Sequence, residues 1–248
     1  MTKIEKLTQI LKMSNEVVFF GGAGVSTESN IPDFRSEKGL YRAQSNYGYP
    51  PEEMLSSGFF RRKTDIFYDY YRKNILFTEA EPNDAHYALA KLEQMGKLKA
   101  VITQNIDGLH QKAGSKEVLE LHGSIYRNYC MKCKTTYSVE DIQKISGIPK
   151  CHICDGIVRP DVVLYGESLD YDVIDRSLEH ISKCEVLIIG GTSLVVYPAA
   201  GFINYFKGKH LILINKDATP FDQKADLVIN EPIGKVMKEI MNSITNES

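Results

Sequence analysis

Glu16-Val17-Val18-Phe19-Phe20-Gly21-Gly22-Ala23-Gly24-Val25-Ser26 is the stretch on which the fold turns. Four large apolar residues in a row read as a strand buried on both faces, because a half-exposed strand would alternate apolar with polar. The glycines after it predict a tight turn opening into a helix start, the order in which a dinucleotide site brings backbone close to a pyrophosphate. Thr27 stands where the dehydrogenase fingerprint has Gly or Ala, which makes this a G-x-G-x-x-T variant. Upstream, Thr2 and Glu5 form a capping box, and Ile4, Leu7, Ile10 and Leu11 share one helical face. Downstream, apolar runs recur at 100–103, 118–121, 186–189, 211–214 and 227–229. Helical patterns lie between and after them, with Ala85, Ala88, Leu89 and Leu92 before Gly96, and Ile233, Val236, Met237 and Ile240 near the end. The alternation predicts an α/β fold, a doubly wound Rossmann-like parallel sheet.

Two stretches break the alternation: 37–77, rich in aromatics, and 126–159, which carries four cysteines. They are expected to form a smaller zinc-binding and helical module, with the Rossmann-like part built from 1–36, 78–124 and 160–248 and the module from 37–77 and 125–159. Cys130/Cys133 and Cys151/Cys154 are two Cys-x-x-Cys pairs separated by 17 residues, the spacing of a closed tetrahedral site holding one structural zinc ion. His152 inside the second pair is expected to be a spectator. Cys184 before an apolar run reads as a small buried hydrophobe, and His86 and His110 read as structural.

Over 248 residues, 30 Lys and Arg against 32 Asp and Glu leave a net charge of −2, which argues against a nucleic-acid-gripping surface. Lys3, Glu5, Lys6, Lys12 and Glu16 interrupt any signal-peptide core, so a cytoplasmic location is expected. The longest uncharged stretch, 186–206, contains Gly190-Gly191-Thr192-Ser193 and Tyr197-Pro198; it reads as strand, turn and helix start rather than a membrane span. In doubly wound sheets ligands sit beyond the carboxyl ends of the strands. Here those ends carry 22–26, Gln104-Asn105-Ile106-Asp107, His122-Gly123, Gly191-Thr192-Ser193 and Asn215, all small or polar apart from Val25 and Ile106.

Taken together, Gly22-Ala23-Gly24-Val25-Ser26, Ile31-Pro32-Asp33-Phe34-Arg35-Ser36, Thr103-Gln104-Asn105-Ile106-Asp107, His122-Gly123, the four cysteines, Gly166-Glu167, Gly191-Thr192-Ser193-Leu194 and Asn215 resemble the sirtuins, NAD-dependent protein deacylases. The likeness runs nearly the whole chain in family order. It departs at Asn30, where Gly is usual, and at Tyr165, where Phe is usual. Asn tolerates left-handed backbone and Tyr keeps the ring, so neither is expected to abolish function.

The resemblance implies that Ala23, Gly24 and Thr27 approach the NAD phosphates, with Arg35 as a charged partner and Phe34 shielding the reacting ribose carbon. Gln104 and Asn105 would bind ribose hydroxyls and an ordered water, Ile106 and Asp107 the nicotinamide carboxamide, and Thr192, Ser193, Asn215 and Lys216 the adenosine end. The catalytic residues would be His122 and Asn105, with His122 as general base while the acyl-lysine oxygen attacks the ribose carbon. Products would be nicotinamide, deacetylated lysine and O-acetyl-ADP-ribose. Acyl-lysine protein substrates would add as a strand beside Val163, Tyr165, Leu194 and Val195.

Sirtuins that prefer acidic acyl groups resemble one another in a Tyr-x-x-Arg pair. Here Tyr68 is followed by Tyr71, with Arg72 one residue late and rotated by about 100° on a helix. Acetyl-lysine is therefore expected over succinyl-lysine. The alternatives are a mono-ADP-ribosyltransferase, a deacylase preferring longer or acidic acyl groups, and a non-catalytic zinc-ribbon binding module.

Overall fold

The computed structural model describes residues 1–32 and 46–245. β1 (Val17–Gly21), β2 (Leu98–Thr103), β3 (Val118–Glu120), β7 (Val186–Gly190), β8 (His210–Ile214) and β9 (Leu227–Ile229) form one parallel sheet, ordered β3-β2-β1-β7-β8-β9. The order runs one way from β1 to β3 and the other way from β7 to β9, so the winding reverses between β1 and β7. Every residue of β1 is buried, with Phe19 and Phe20 inaccessible to solvent, as a strand covered on both faces requires.

Successive side chains of β1 enter opposite layers. Val17 and Phe19 pack with Leu7, Leu11, Leu89 and Val236, which come from α1 (Lys3–Met13), α5 (Asp84–Gln94) and α9 (Ile233–Thr245). Val18 and Phe20 pack on the other side with Ile181 of α8 (Tyr171–Lys183) and Phe202 of a 3₁₀ segment, Ala199–Tyr205. Burying each such side chain contributes roughly 1.5–3 kcal/mol. The capping box at Thr2 is present, with the Thr2 hydroxyl accepting from the Glu5 amide and the Glu5 carboxylate accepting from the Thr2 amide.

The helix start expected after Gly22 is not an α-helix. Two 3₁₀ turns stand there, Ala23–Val25 and Thr27–Ser29, and Asn30 at φ 61° ends them. The Gly24 amide donates to the Gly191 carbonyl at 2.7 Å, and the Ile31 amide turns back to the Ser26 carbonyl. These bonds fold the segment across the sheet's carboxyl edge and break the i to i−4 ladder. The helix start expected after Gly191 is likewise the 3₁₀ segment.

A second, three-stranded antiparallel sheet has the order β5-β4-β6, with β4 (Gly123–Cys130), β5 (Thr136–Tyr137) and β6 (Val158–Val162). Helices α2 (Pro51–Met54), α3 (Ser57–Arg62) and α4 (Thr64–Asn74) pack against it, α2 through Met54 and the other two through their aromatics. Phe60, Phe67, Tyr68 and Tyr71 form one buried cluster with Ile125, Val162 and Leu164. The Tyr68 hydroxyl donates to the Val158 carbonyl of β6. Among the described residues the two remaining α-helices are α6 (Leu109–Lys112) and α7 (Val139–Gln143).

Candidate active site

A cavity of about 620 Å³ opens at the carboxyl edge of the large sheet, where the winding reverses. Glycine makes that edge passable. A Cβ on Gly24 would lie 2.8 Å from the Gly191 backbone, and one on Gly22 would lie 2.9 Å from the Thr192 Cβ. Gly191 itself has φ 59°, with the Val25 amide nitrogen 2.3 Å from where a Cβ would stand.

His122 follows β3 and lines the cavity. Its Nδ1 lies 2.9 Å from the Gln104 carbonyl oxygen. A carbonyl only accepts, so Nδ1 carries the proton and Nε2 keeps its lone pair, the tautomer of a base. Burial pushes the imidazole pKa below its usual 6.5, which favours the neutral ring, and the Gln104 carbonyl opposes that shift. The His122 carbonyl accepts from the Val163 amide at 2.9 Å, which ties the loop to the strand that continues β6.

A buried chain runs beneath it. Asn105 donates through Nδ2 to the Ser26 hydroxyl at 3.0 Å, and that hydroxyl donates to Asp107 Oδ2 at 2.7 Å. The other Asp107 oxygen accepts from the Leu109 amide at 3.0 Å. Burial raises the Asp107 pKa, and the bonds from Leu109 and Ser26 oppose it. Gln104 Nε2 is a buried donor with no partner, in a residue that lines the cavity. An unpaired buried donor costs free energy until a ligand acceptor meets it.

Ala23, Gly24 and Thr27 line the cavity, as do Ile106, Thr192, Ser193, Asn215 and Lys216. The amides of Gly24, Val25 and Ser26 are already bonded to Gly191, Gly22 and Ala23 carbonyls, leaving fewer of them for an anion than a helix start would give. The Asn215 side chain is engaged at both ends, accepting from the Thr192 amide at 3.0 Å and donating to its carbonyl at 2.6 Å. It therefore shapes the Thr192 loop. Phe34 and Arg35 lie outside the described residues.

The substrate rim is only partly as expected. Val163 and Tyr165 line the cavity, but Leu194 is buried in the sheet's second layer and Val195 is half exposed. The Tyr165 amide and carbonyl are both taken, by the Leu55 carbonyl and the Ser57 amide, in a parallel bridge. Tyr165 is nonetheless exposed. The sequence reading also missed Glu28, Ile75 and Ile233 on the cavity wall. The tyrosine run 68, 70 and 71 reads in the sequence as core and groove lining, and Tyr71 is both.

The four cysteine Sγ atoms all lie within 4.8 Å of one another, with Cys130–Cys154 and Cys133–Cys151 at 3.5 Å. These separations exceed a disulfide's ~2.05 Å and bracket the roughly 3.8 Å edge of a tetrahedron built on Zn–S bonds of about 2.3 Å. Amides of Lys132 and Cys133 point at Cys130 Sγ and that of Ile153 at Cys151 Sγ, the donors a thiolate wants. A Cβ on Gly156 would meet Cys130 Sγ at 2.8 Å. The donor set fits one zinc ion with no open position. His152 bonds the Tyr137 hydroxyl and stands outside the cluster.

His86 and His110 are buried with ring centroids 4.7 Å apart, and burial lowers both pKa values, His86 to about 4. Burial pushes the Cys184 thiol up to about 12, which makes it inert at neutral pH. Among the described residues no helix is long and apolar enough to cross a membrane.

A reversal-point cleft with an oriented histidine, in a chain that also carries a closed four-thiolate site, defines an α/β protein built to hold a nucleotide. The Sir2 family model matches residues 22–198, and the chain belongs to the Sir2 family. It is 60% identical over 240 residues, 96% of this chain and 98% of the relative, to an NAD-dependent protein deacetylase of Clostridium acetobutylicum. A Clostridium perfringens NAD-dependent protein deacetylase is 59% identical over 97% of this chain and 99% of its own. Among solved structures, a Sir2–p53 peptide–NAD⁺ complex matches with TM-score 0.88 and 37% identity, covering 99% of this chain and 100% of that one. A Sir2 complex with an inhibitor, 2′-O-acetyl-ADP-ribose and a deacetylated p53 peptide matches with TM-score 0.85 and 37% identity, covering 97% and 99%.

Proposed function

We propose that this chain is an NAD-dependent protein-lysine deacetylase, releasing nicotinamide and forming O-acetyl-ADP-ribose. The observation that carries it is His122, held by the Gln104 carbonyl in its basic tautomer on the wall of a cleft at the reversal of the sheet. NAD, when bound, supplies an activated N-glycosidic bond with nicotinamide as leaving group and the ribose that takes up the acetyl group. The rest falls to the chain. His122 Nε2 accepts a ribose hydroxyl proton as general base, and a neutral imidazole is the form that can. Gln104 meets a ribose oxygen with its unpaired Nε2, Asn105 orders a water, and Ile106 with the Asp107 carboxyl holds the carboxamide. Ala23, Gly24 and Thr27 face the phosphates; Thr192, Ser193 and Lys216 face the adenosine end, with Asn215 shaping that loop.

The peptide adds along Val163, with the Tyr165 ring and the Val195 backbone on its flanks. Pairing through backbone gives affinity with loose sequence demand. The closed cysteine site keeps the small sheet folded and touches no reacting atom. Residues 1–36, 78–124 and 160–248 act as the NAD-binding part, and 37–77 with 125–159 as the small module; the cysteine cluster lies wholly within that module, whereas the aromatic cluster also draws in Val162 and Leu164.

The deciding experiment is nicotinamide release from NAD with an acetyl-lysine peptide, beside a no-peptide control and His122→Ala. Peptide-dependent release that falls about 10²–10⁴-fold in the variant is the expected result. Release that ignores the peptide, with label passing from NAD to protein side chains, would replace this reading with mono-ADP-ribosyl transfer.

A further inference from the structure

Tyr71 is fully buried, lines the cavity, and its hydroxyl has no hydrogen-bond partner. Its ring is fixed: it stacks on Phe67 with centroids 5.8 Å apart and planes at 11°, and meets Tyr68 edge-on. The hydroxyl therefore has no rotamer by which to seek a partner elsewhere. Around it the wall is hydrocarbon, with Leu55, Ile75, Ile106, Val162 and Leu164 in the same cluster and on the same cavity. Val162 and Leu164 flank Val163, whose amide bonds the His122 carbonyl, so this apolar end adjoins the catalytic histidine.

A lone polar atom in such a wall discriminates ligands strongly, because an all-carbon group leaves it unpaired while a group bearing oxygen satisfies it. The satisfying group must be neutral. Among the described residues the only cationic side chain on the cavity is Lys216, on the loop after β8, whereas Glu28, Glu52, Asp107, Glu167, Asp217 and Glu231 all line it. Burial holds the Tyr71 hydroxyl in its protonated form, a single neutral donor that cannot offset the desolvation of a carboxylate.

Resting on the deacylase reading above, we propose that Tyr71 is a specificity-determining residue whose hydroxyl selects acyl-lysines with a neutral oxygen beyond the carbonyl, a hydroxyacyl chain, over all-carbon chains of equal length. The test compares kcat/KM for one peptide carrying 3-hydroxybutyryl-lysine or butyryl-lysine, in the wild type and in Tyr71→Phe, with the acetyl-lysine peptide alongside. The hydroxybutyryl-to-butyryl ratio is expected to exceed one in the wild type and to fall about fivefold in the variant, the worth of one hydrogen bond. General damage to the pocket would lower both rates and leave the ratio alone, so an unchanged ratio overturns the proposal. If butyryl chains turn over too slowly, the same ratio is read from their inhibition of acetyl-peptide turnover: a fall in the variant supports the proposal and an unchanged ratio overturns it. Failure of the wild type to turn over the acetyl peptide would defeat the deacylase reading and this proposal with it. Acetyl turnover with equal ratios in both proteins defeats this proposal alone.

Discussion

His122 shows how one hydrogen bond sets a residue's chemistry. The Gln104 carbonyl fixes the tautomer, and burial holds the ring's pKa below its usual 6.5. The base works only when unprotonated, so kcat/KM should fall on the acid side along a limb centred below pH 6.5. A profile measured between about pH 5 and 8 checks this, and an acid limb centred above 6.5 would contradict it. Gly24 makes the matching steric statement. Gly24→Ala places a methyl 2.8 Å from the Gly191 backbone, atoms that cannot swing away. Its expected cost is about 1–3 kcal/mol of stability with weaker NAD binding, read by thermal unfolding and by titration with NAD.

At the scale of elements, α4 decides which side chain faces the cleft. Tyr71 faces it, while Arg72 turns to the Gly147 carbonyl and lies over the Tyr68 ring. With Arg72 held away from the cavity, an acetylated peptide should be processed faster than its succinylated counterpart by about tenfold or more, the effect of burying a carboxylate without a partner. Faster desuccinylation would mean α4 can rotate. The small sheet depends on its metal in the same local way. At its cysteine end the cluster holds little beyond Cys130, Ile142, Cys151 and Val158, too small a core to keep that end ordered without a staple. Chelation or Cys151→Ala should release about one zinc ion per chain, lower the melting temperature and reduce activity together. A folded, fully active Cys151→Ala protein would contradict the structural role.

Over the whole molecule, the site exists because strands far apart in sequence end side by side. In register, Gly21 of β1 lies between Thr103 of β2 and Gly190 of β7, so the turns leaving all three meet at one edge. A ligand bound there touches segments from both halves of the sheet and should stabilise the fold as a unit. Saturating NAD, at about 100 times its dissociation constant, should add about 2.7 kcal/mol to unfolding in a single transition. Two separate transitions, only one of them moved by NAD, would show that the halves unfold independently.

The sheet was legible in the sequence because a strand covered on both faces must be apolar without a break, as 17–20, 186–189 and 211–214 are. The cysteine site was legible because two short knuckles at that spacing close a tetrahedron with little help from the rest of the chain. β4 was not legible: Gly123-Ser-Ile-Tyr-Arg-Asn-Tyr-Cys130 has no regular alternation, and its pairing with β6 depends on residues some thirty positions away. Nor could sequence show that the turn after β1 is 3₁₀, since the Gly24 amide is diverted by a carbonyl 167 residues downstream. The residue types of the site, histidine, asparagine, aspartate and glycine at strand ends, are a property of the chain. Which nitrogen of His122 carries the proton, which Asn215 groups remain available, and that the Tyr71 hydroxyl is buried in the cleft wall without a partner follow from packing, because each depends on atoms that only the folded sheet brings within reach.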